Sequence, residues 1–170
     1  MSSADAEGQV VVVSLLGEQY ALPVASVREI IRYTQPGATA AASGLIRGMI
    51  SLRGRLLPIV DLAPRLGGQL EIGAGSRIVV LEAPGGALGV IVDAVNGIVR
   101  VARNQIAPLP QAANREFGEE IAAVDDRLLV LIDPERVAIA AGVTSKARQT
   151  RRRADRGSRE SRAAPSDPRQ

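Results

Sequence analysis

The stretch MISLRGRLLPIVD, from Met49 to Asp61, places two arginines and a glycine between two apolar runs. Apolar runs joined by a short glycine-containing connection are typical of a β-hairpin. We therefore expect strands over residues 45–52 and 56–62, with Gly54 supplying a positive φ at the turn. Because Pro58 lacks an amide N–H, the second strand should lie at a sheet edge or carry a bulge there.

Further β-branched runs, separated by turn residues, continue this pattern on both sides of the hairpin. Short strands with turn signals at regular intervals indicate a mainly all-β barrel or sandwich. A two-residue turn is expected at Asn96-Gly97, followed by a strand over residues 98–102. The other expected strand pairs are residues 9–16 with 20–23, residues 77–82 with 87–95, and residues 120–124 with 127–133.

Two short helices are also expected. Residues 24–32 carry apolar side chains at helical spacing, and Ser26 followed by Glu29 has the form of a capping box. Near the end of the folded part, Asp133 is a candidate N-cap with Pro134 at the first helical position.

The composition excludes several classes of function. The chain has no Cys and no His, so thiol catalysis, disulfides, histidine bases and the usual zinc sites are absent. No phosphate-binding loop and no paired carboxylates with an evident acid–base role occur, so we expect a protein that is not an enzyme. The polar N-terminus and the absence of a long apolar run predict a cytoplasmic protein that is not membrane-inserted.

Charge is distributed unevenly along the sequence. Residues 144–170 hold nine basic and three acidic residues, which gives +6, so the remaining chain carries −3 of the net +3. We expect this basic tail and residues 1–7 to be disordered. The tail is either a solvated extension or a segment that binds polyanions or nucleic acid. The folded part has only Tyr20, Tyr33 and Phe117 as aromatic residues, too few for a base-stacking platform.

Charged residues set within the apolar runs are the candidate site residues: Glu29, Arg47, Arg53, Asp61 and Asp93. Each, taken alone, fits a solvent-facing position on a one-sided sheet. A carboxylate and a guanidinium on neighbouring elements can instead pair and fix a surface. Asp61 and Asp93 stay ambiguous, because Asp61 also fits a cap for a turn at Ala63-Pro64, and an enzyme would need one of them in a pocket.

Five fragments together resemble the CheW family of chemotaxis coupling proteins, in order and spacing. They are VREI (27–30), IRGMISLRG (46–54), LPIVDL (57–62), GVIVDAV (89–95) and DRLLVLID (126–133). The resemblance implies two packed five-stranded SH3-like β-barrel subdomains within residues 8–143, roughly 9–68 and 77–137, with strands that exchange between them. Ser51 departs from the family pattern, which usually has Asn there.

The resemblance also implies a non-catalytic adaptor, without cofactor or small-molecule substrate. It would couple the helical hairpin tip of chemoreceptors, lying in the groove between the barrels, to the regulatory domain of the histidine kinase CheA. It would be recruited to receptor arrays at the inner face of the membrane. We expect Glu29 and Arg53 to form a salt bridge. The implied partner-binding residues are Val27, Glu29, Ile30, Arg47, Gly48, Arg53 and Gly54.

Overall fold

The computed structural model describes residues 8–38 and 44–143, which form eleven strands and one α-helix. Both segments expected to be disordered, residues 1–7 and 144–170, lie outside the described residues. The elements are β1 (Gly8–Leu15), β2 (Glu18–Pro23), β3 (Val27–Arg32), β4 (Ile46–Leu52), β5 (Arg55–Val60), β6 (Arg77–Ala83), β7 (Gly86–Val92), β8 (Ala94–Val101), β9 (Ile106–Pro108), β10 (Glu120–Val124), β11 (Arg127–Leu131) and α1 (Pro134–Ala140).

The strands form two sheets, which confirms the mainly β class with two subdomains. The larger has six strands in the order β8-β1-β2-β11-β10-β9, one more than expected, and the smaller has the order β3-β6-β7-β5-β4. Neighbours are antiparallel except for the parallel pairs β2–β11 and β5–β7. A backbone bridge between Gly37 and Met49 joins the segment after β3 to β4, so the two edges of the smaller sheet meet.

Each sheet combines strands from both predicted halves of the chain. The β1–β2 hairpin pairs with β8 and β11, whereas the β6–β7 hairpin pairs with β3 and β5. The two sheets share one arrangement: an edge strand (β8 or β3) lies beside one hairpin (β1–β2 or β6–β7), which lies beside a second hairpin (β11–β10 or β5–β4). Both sheets therefore contain strands from before residue 68 and from after residue 77, so the exchange of strands between the two halves is reciprocal.

The core has three parts that follow this exchange. One cluster lies within the larger sheet and includes Val12 and Leu129, and one lies within the smaller sheet and includes Ile78. The third contains Val11 and Val79 and is shared between the sheets and α1. Alternate residues of β1 and of β6 thus enter different clusters, which explains why these strands read as continuous apolar runs rather than alternating ones.

The predicted helix over residues 24–32 is wrong. Val24–Ser26 forms a single 3-10 turn without a side-chain cap, and Val27–Arg32 is strand β3. Residues 27, 29 and 31 are more buried than residues 28, 30 and 32, which is the period of a strand. Antiparallel pairing with β6 satisfies the backbone groups that a helix would have bonded internally.

The predicted turn at Asn96-Gly97 is also wrong. Both residues lie inside β8, where a bulge against Val12 and Val13 accommodates the extra residue and Gly97 has φ 121°. The predicted strand over residues 87–95 is divided, because β7 ends at Val92 and β8 begins in the other sheet.

Strand β5, which contains Pro58, is not an edge strand. It lies between β7 and β4, but its pairing with β7 covers only Ile59 and Val60, and the bulge lies on β4. The expected hairpins at residues 53–54 and 125–126 are present, and Asp133 caps α1 by accepting a hydrogen bond from Glu135 N.

Candidate functional site

The turn between β4 and β5 places one arginine outward at the end of the smaller sheet. Arg53 and Gly54 have φ values of 51° and 77°, so both occupy the left-handed region that two-residue hairpin turns require. Gly54 meets this requirement without a side chain, whereas Arg53 adopts a conformation that is uncommon for its type. The Arg53 side chain is 75% exposed. The turn therefore presents a solvent-facing guanidinium.

Arg53 pairs with Glu29 across the meeting edges of the smaller sheet. Its Nη1 lies 2.8 Å from Glu29 Oε2, although Glu29 belongs to β3 and Arg53 follows β4. Glu29 is only 20% exposed, and its other oxygen, Oε1, is buried without a hydrogen bond from the described residues. An ion pair exposed at one end contributes little stability, about 0–1 kcal/mol. The pair joins the β4–β5 turn to strand β3.

Asp61 is a structural carboxylate, bonded through both of its oxygens. Its Oδ2 accepts hydrogen bonds from Arg47 Nε at 3.0 Å and from Arg47 Nη2 at 2.7 Å. Its Oδ1 accepts from Ala63 N at 3.0 Å, the turn cap that the sequence suggested. Asp61 is buried while Arg47 is half exposed. This carboxylate orients Arg47 and fixes the chain after β5.

Gly48 lies where another backbone segment approaches β4. A Cβ atom at this position would come within 2.3 Å of the carbonyl oxygen of Gly37. Packing against the segment that follows β3 is thus enough to explain the glycine at position 48, without any role in partner binding.

Asp93 fastens the corner between β7 and β8 to the turn after β1. Its Oδ2 accepts a hydrogen bond from Leu16 N at 2.9 Å, and its own amide donates to Ser14 O at 2.9 Å. Leu16 has φ 54°, so this bond supports an unfavourable turn residue. Within residues 8–38 and 44–143, no cluster of acidic side chains is arranged to hold a metal ion. The hydrogen bond from Leu16 N accounts for the carboxylate at position 93.

Exposed apolar side chains mark the edge strands of both sheets. On β3, Val27 packs at the margin of the shared core and Ile30 is 40% exposed. On β8, Val95 packs at the margin of the same core and Ile98 is 59% exposed. Sequence reasoning did not assign Ile98 to the site, because the expected Asn96-Gly97 turn placed that residue at the start of an ordinary strand.

Comparisons with known proteins agree with this geometry. Residues 9–141 match the model of the CheW-like domain. The chain belongs to this family. It is 35% identical to a probable chemotaxis protein CheW of Rhizobium etli, over 69% of this chain and 79% of that protein. It is 30% identical to chemotaxis protein CheW of Klebsiella aerogenes, over 76% of this chain and 81% of that protein.

Similarity to a solved structure supports the same assignment. The crystal structure of the scaffolding protein TtCheW from Thermoanaerobacter tengcongensis superimposes with a TM-score of 0.72 at 32% identity. The match covers 77% of this chain and 92% of that one. These similarities identify this CheW-like chain as a chemotaxis adaptor, and none supports the polyanion-binding alternative. Among the residues described, no helix has the length and apolarity needed to span a bilayer.

Proposed function

We propose that this chain is a non-catalytic coupler that joins chemoreceptors to a CheA-type histidine kinase at cytoplasmic receptor arrays. The observation that carries the proposal is the Glu29–Arg53 pair, which fixes a hairpin turn beside an exposed apolar edge strand. Family membership supplies the class of partner. The site offers a shaped, partly apolar surface, which suits docking of another protein.

The receptor's helical hairpin tip would lie along the groove between the subdomains. Edge strands β3 and β8 both border the shared core, and each carries one exposed isoleucine, Ile30 and Ile98. An amphipathic helix binds such a groove through its apolar stripe, with charged residues at the rim. Arg47 and Arg53 would form that rim.

The kinase regulatory domain would dock on the end of the smaller barrel. The turn at Arg53-Gly54 and the next strand present Leu56, which is 72% exposed. Leu56 would supply an apolar contact and Arg53 a charge at its rim, the combination that protein interfaces use. Ser51 is exposed opposite Leu56 in the same hairpin, so the departure from the family's usual Asn falls on this surface.

Exchange of the two charges tests whether the pair positions the docking surface. Glu29→Arg and Arg53→Glu, each alone, place like charges opposite each other and should weaken binding at least about fivefold. The double variant restores an opposite pair and should bind within about twofold of the original protein. Binding is measured by calorimetry with a receptor hairpin-tip fragment and, separately, with a CheA regulatory-domain fragment.

The matched control is the Arg65–Glu116 pair, which lies away from β3 and the β4–β5 turn. Single and double charge reversals there should leave both affinities unchanged. Absence of rescue by the double exchange at 29 and 53, in a variant that keeps its circular dichroism spectrum, would contradict the positioning role. Unchanged affinity of both single variants for both fragments would contradict the proposed location of the site.

A further inference from the structure

A pocket of about 280 Å³ opens on the larger sheet, away from the Glu29–Arg53 pair. It lies between β2, β11 and the loop over residues 109–118. Tyr20, Phe117, Leu66 and Ile132 form much of its apolar wall, and Glu18 is its charged residue. Two of the chain's three aromatic residues therefore line one pocket together with a carboxylate.

Glu18 has no cationic partner within the part of the chain that the structure describes. The hydroxyl of Tyr20 donates to its Oε2 at 3.4 Å, which is a long hydrogen bond. The arginines near this loop already have carboxylate partners, since Arg65 pairs with Glu116, and Arg115 at 3.8 Å and Arg136 at 2.7 Å both pair with Glu119. The pocket thus places an uncompensated carboxylate beside a small apolar surface, to which the nearly buried Tyr20 and Phe117 contribute only their edges.

This combination fits a guanidinium group. Arginine can pair with a carboxylate while its apolar stem covers the neighbouring apolar surface. The volume is just below the range of about 300–1,000 Å³ for pockets that take drug-sized ligands. A single long side chain is therefore a better fit than a cofactor.

The chain itself carries a concentrated source of such side chains. Residues 144–170 include eight arginines and Lys146 against three acidic residues. This segment begins a short distance along the chain from the pocket. The lining residue Ile132 directly precedes Asp133, the N-cap of α1, and the seven residues of α1 span about 10 Å. Arg151 lies eight residues beyond Val143, a distance of up to about 28 Å when extended.

We propose that an arginine of the run Arg151–Arg153, within residues 144–170, occupies this pocket and pairs with Glu18. Covalent attachment gives the segment an effective concentration in the millimolar range, so even a weak contact is populated. The contact holds the basic segment against the larger barrel and shields its charge. It weakens as salt is added, because Glu18 is exposed to solvent.

The test uses ¹⁵N NMR of the full chain between 20 and 500 mM NaCl. Salt should shift the amides of Tyr20, Gly118 and Val130 in the original protein. Those shifts should be lost in the full-length R151Q/R152Q/R153Q variant and in Glu18→Gln. Added to that triple variant, a peptide of residues 144–157 should shift the same amides. Glu18→Gln in the same background should weaken the peptide about two- to fivefold.

Glu71→Gln is the matched control, because Glu71 is another exposed carboxylate without an ion-pair partner among the described residues and lies outside the pocket lining. It should behave like the original protein. Equal effects of Glu18→Gln and Glu71→Gln, or peptide shifts at another surface, would overturn the proposal. Shifts that depend on protein concentration would assign the pocket to the tail of a second copy and would also overturn it.

Discussion

At the scale of single residues, the buried phenol of Tyr20 donates a hydrogen bond to the exposed carboxylate of Glu18. Burial, together with the smaller effects of the charge and hydrogen bond of Glu18, raises the pKa of Tyr20 from 10.0 to about 12. Between these values the folded protein keeps the phenolic proton, whereas the unfolded chain releases it. The free energy of unfolding therefore falls as pH rises through this interval.

Tyr20→Phe should remove this part of the pH dependence. Urea unfolding at pH 9 to 11.5 measures it, and the variant should lose less stability over that range than the original protein. Tyr33→Phe is the control, because it leaves the Tyr20–Glu18 contact intact. An equal fall in all three proteins would contradict the assignment of this pH dependence to Tyr20.

A contact between two residues can be predicted from the sequence when both residues belong to motifs of the family. The Glu29–Arg53 contact joins residues from two motifs of one family pattern, and the structure brings them to 2.8 Å. The Arg47–Asp61 contact was not predicted, since it depends on the bulge in β4 that leaves Arg47 between residues paired with Val60 and Ile59. Sequence also cannot distinguish a glycine needed for docking from one needed for packing, as Gly48 illustrates.

At the scale of the elements, β3 shows why local pattern can predict the wrong structure. Val24, Val27, Ile30 and Ile31 fit a helical stripe, whereas the strand places the charged Glu29 on its more buried face and Ile30 on its exposed face, so no apolar alternation reveals it. Pairing with β6 decides between them, and β6 lies about fifty residues later in the chain. The β1–β2, β4–β5 and β10–β11 hairpins were predicted correctly because their strands and turns are contiguous in sequence, whereas the turn signal at Asn96-Gly97 lies inside β8.

The bridge that closes the smaller sheet depends on Gly48. Gly48→Ala should lower the free energy of unfolding by about 1–3 kcal/mol, because its Cβ would displace the backbone at Gly37. Gly37→Ala is the matched control in the same bridge. Its Cβ would lie 3.6 Å from Met49 O, an ordinary contact, and should cost less than about 0.5 kcal/mol. Equal losses in urea unfolding would contradict this explanation.

At the scale of the whole molecule, the reciprocal exchange of strands should make the two barrels unfold together. Leu129→Ala removes a fully buried side chain from the larger barrel, and Ile78→Ala removes one from the smaller. Each should cost about 2–5 kcal/mol. Both should shift one common transition, measured by circular dichroism and by NMR signals from each sheet. Loss of signals from one sheet alone would contradict cooperative unfolding.

The paired-barrel architecture was predictable from the family resemblance, but the assignment of strands to barrels was not. The parallel pairs that complete each sheet join Tyr20 to Val130 and Ile59 to Gly89. No turn signal connects residues so distant in sequence, and the dense apolar runs of β1 and β6 do not reveal that their two faces enter different cores.

The same exchange sets the order in which the protein assembles on the ribosome. Strands β3 to β7 are complete when Val92 has been made, but β1 and β2 need partners that end at Leu131. At about 5–20 residues per second, the first hairpin waits about 5–20 s for them. The earliest strands to leave the ribosome are thus among the last to complete their sheet, and the edge of β1 that carries the run of four valines lacks its partner β8 until Val101 has been made.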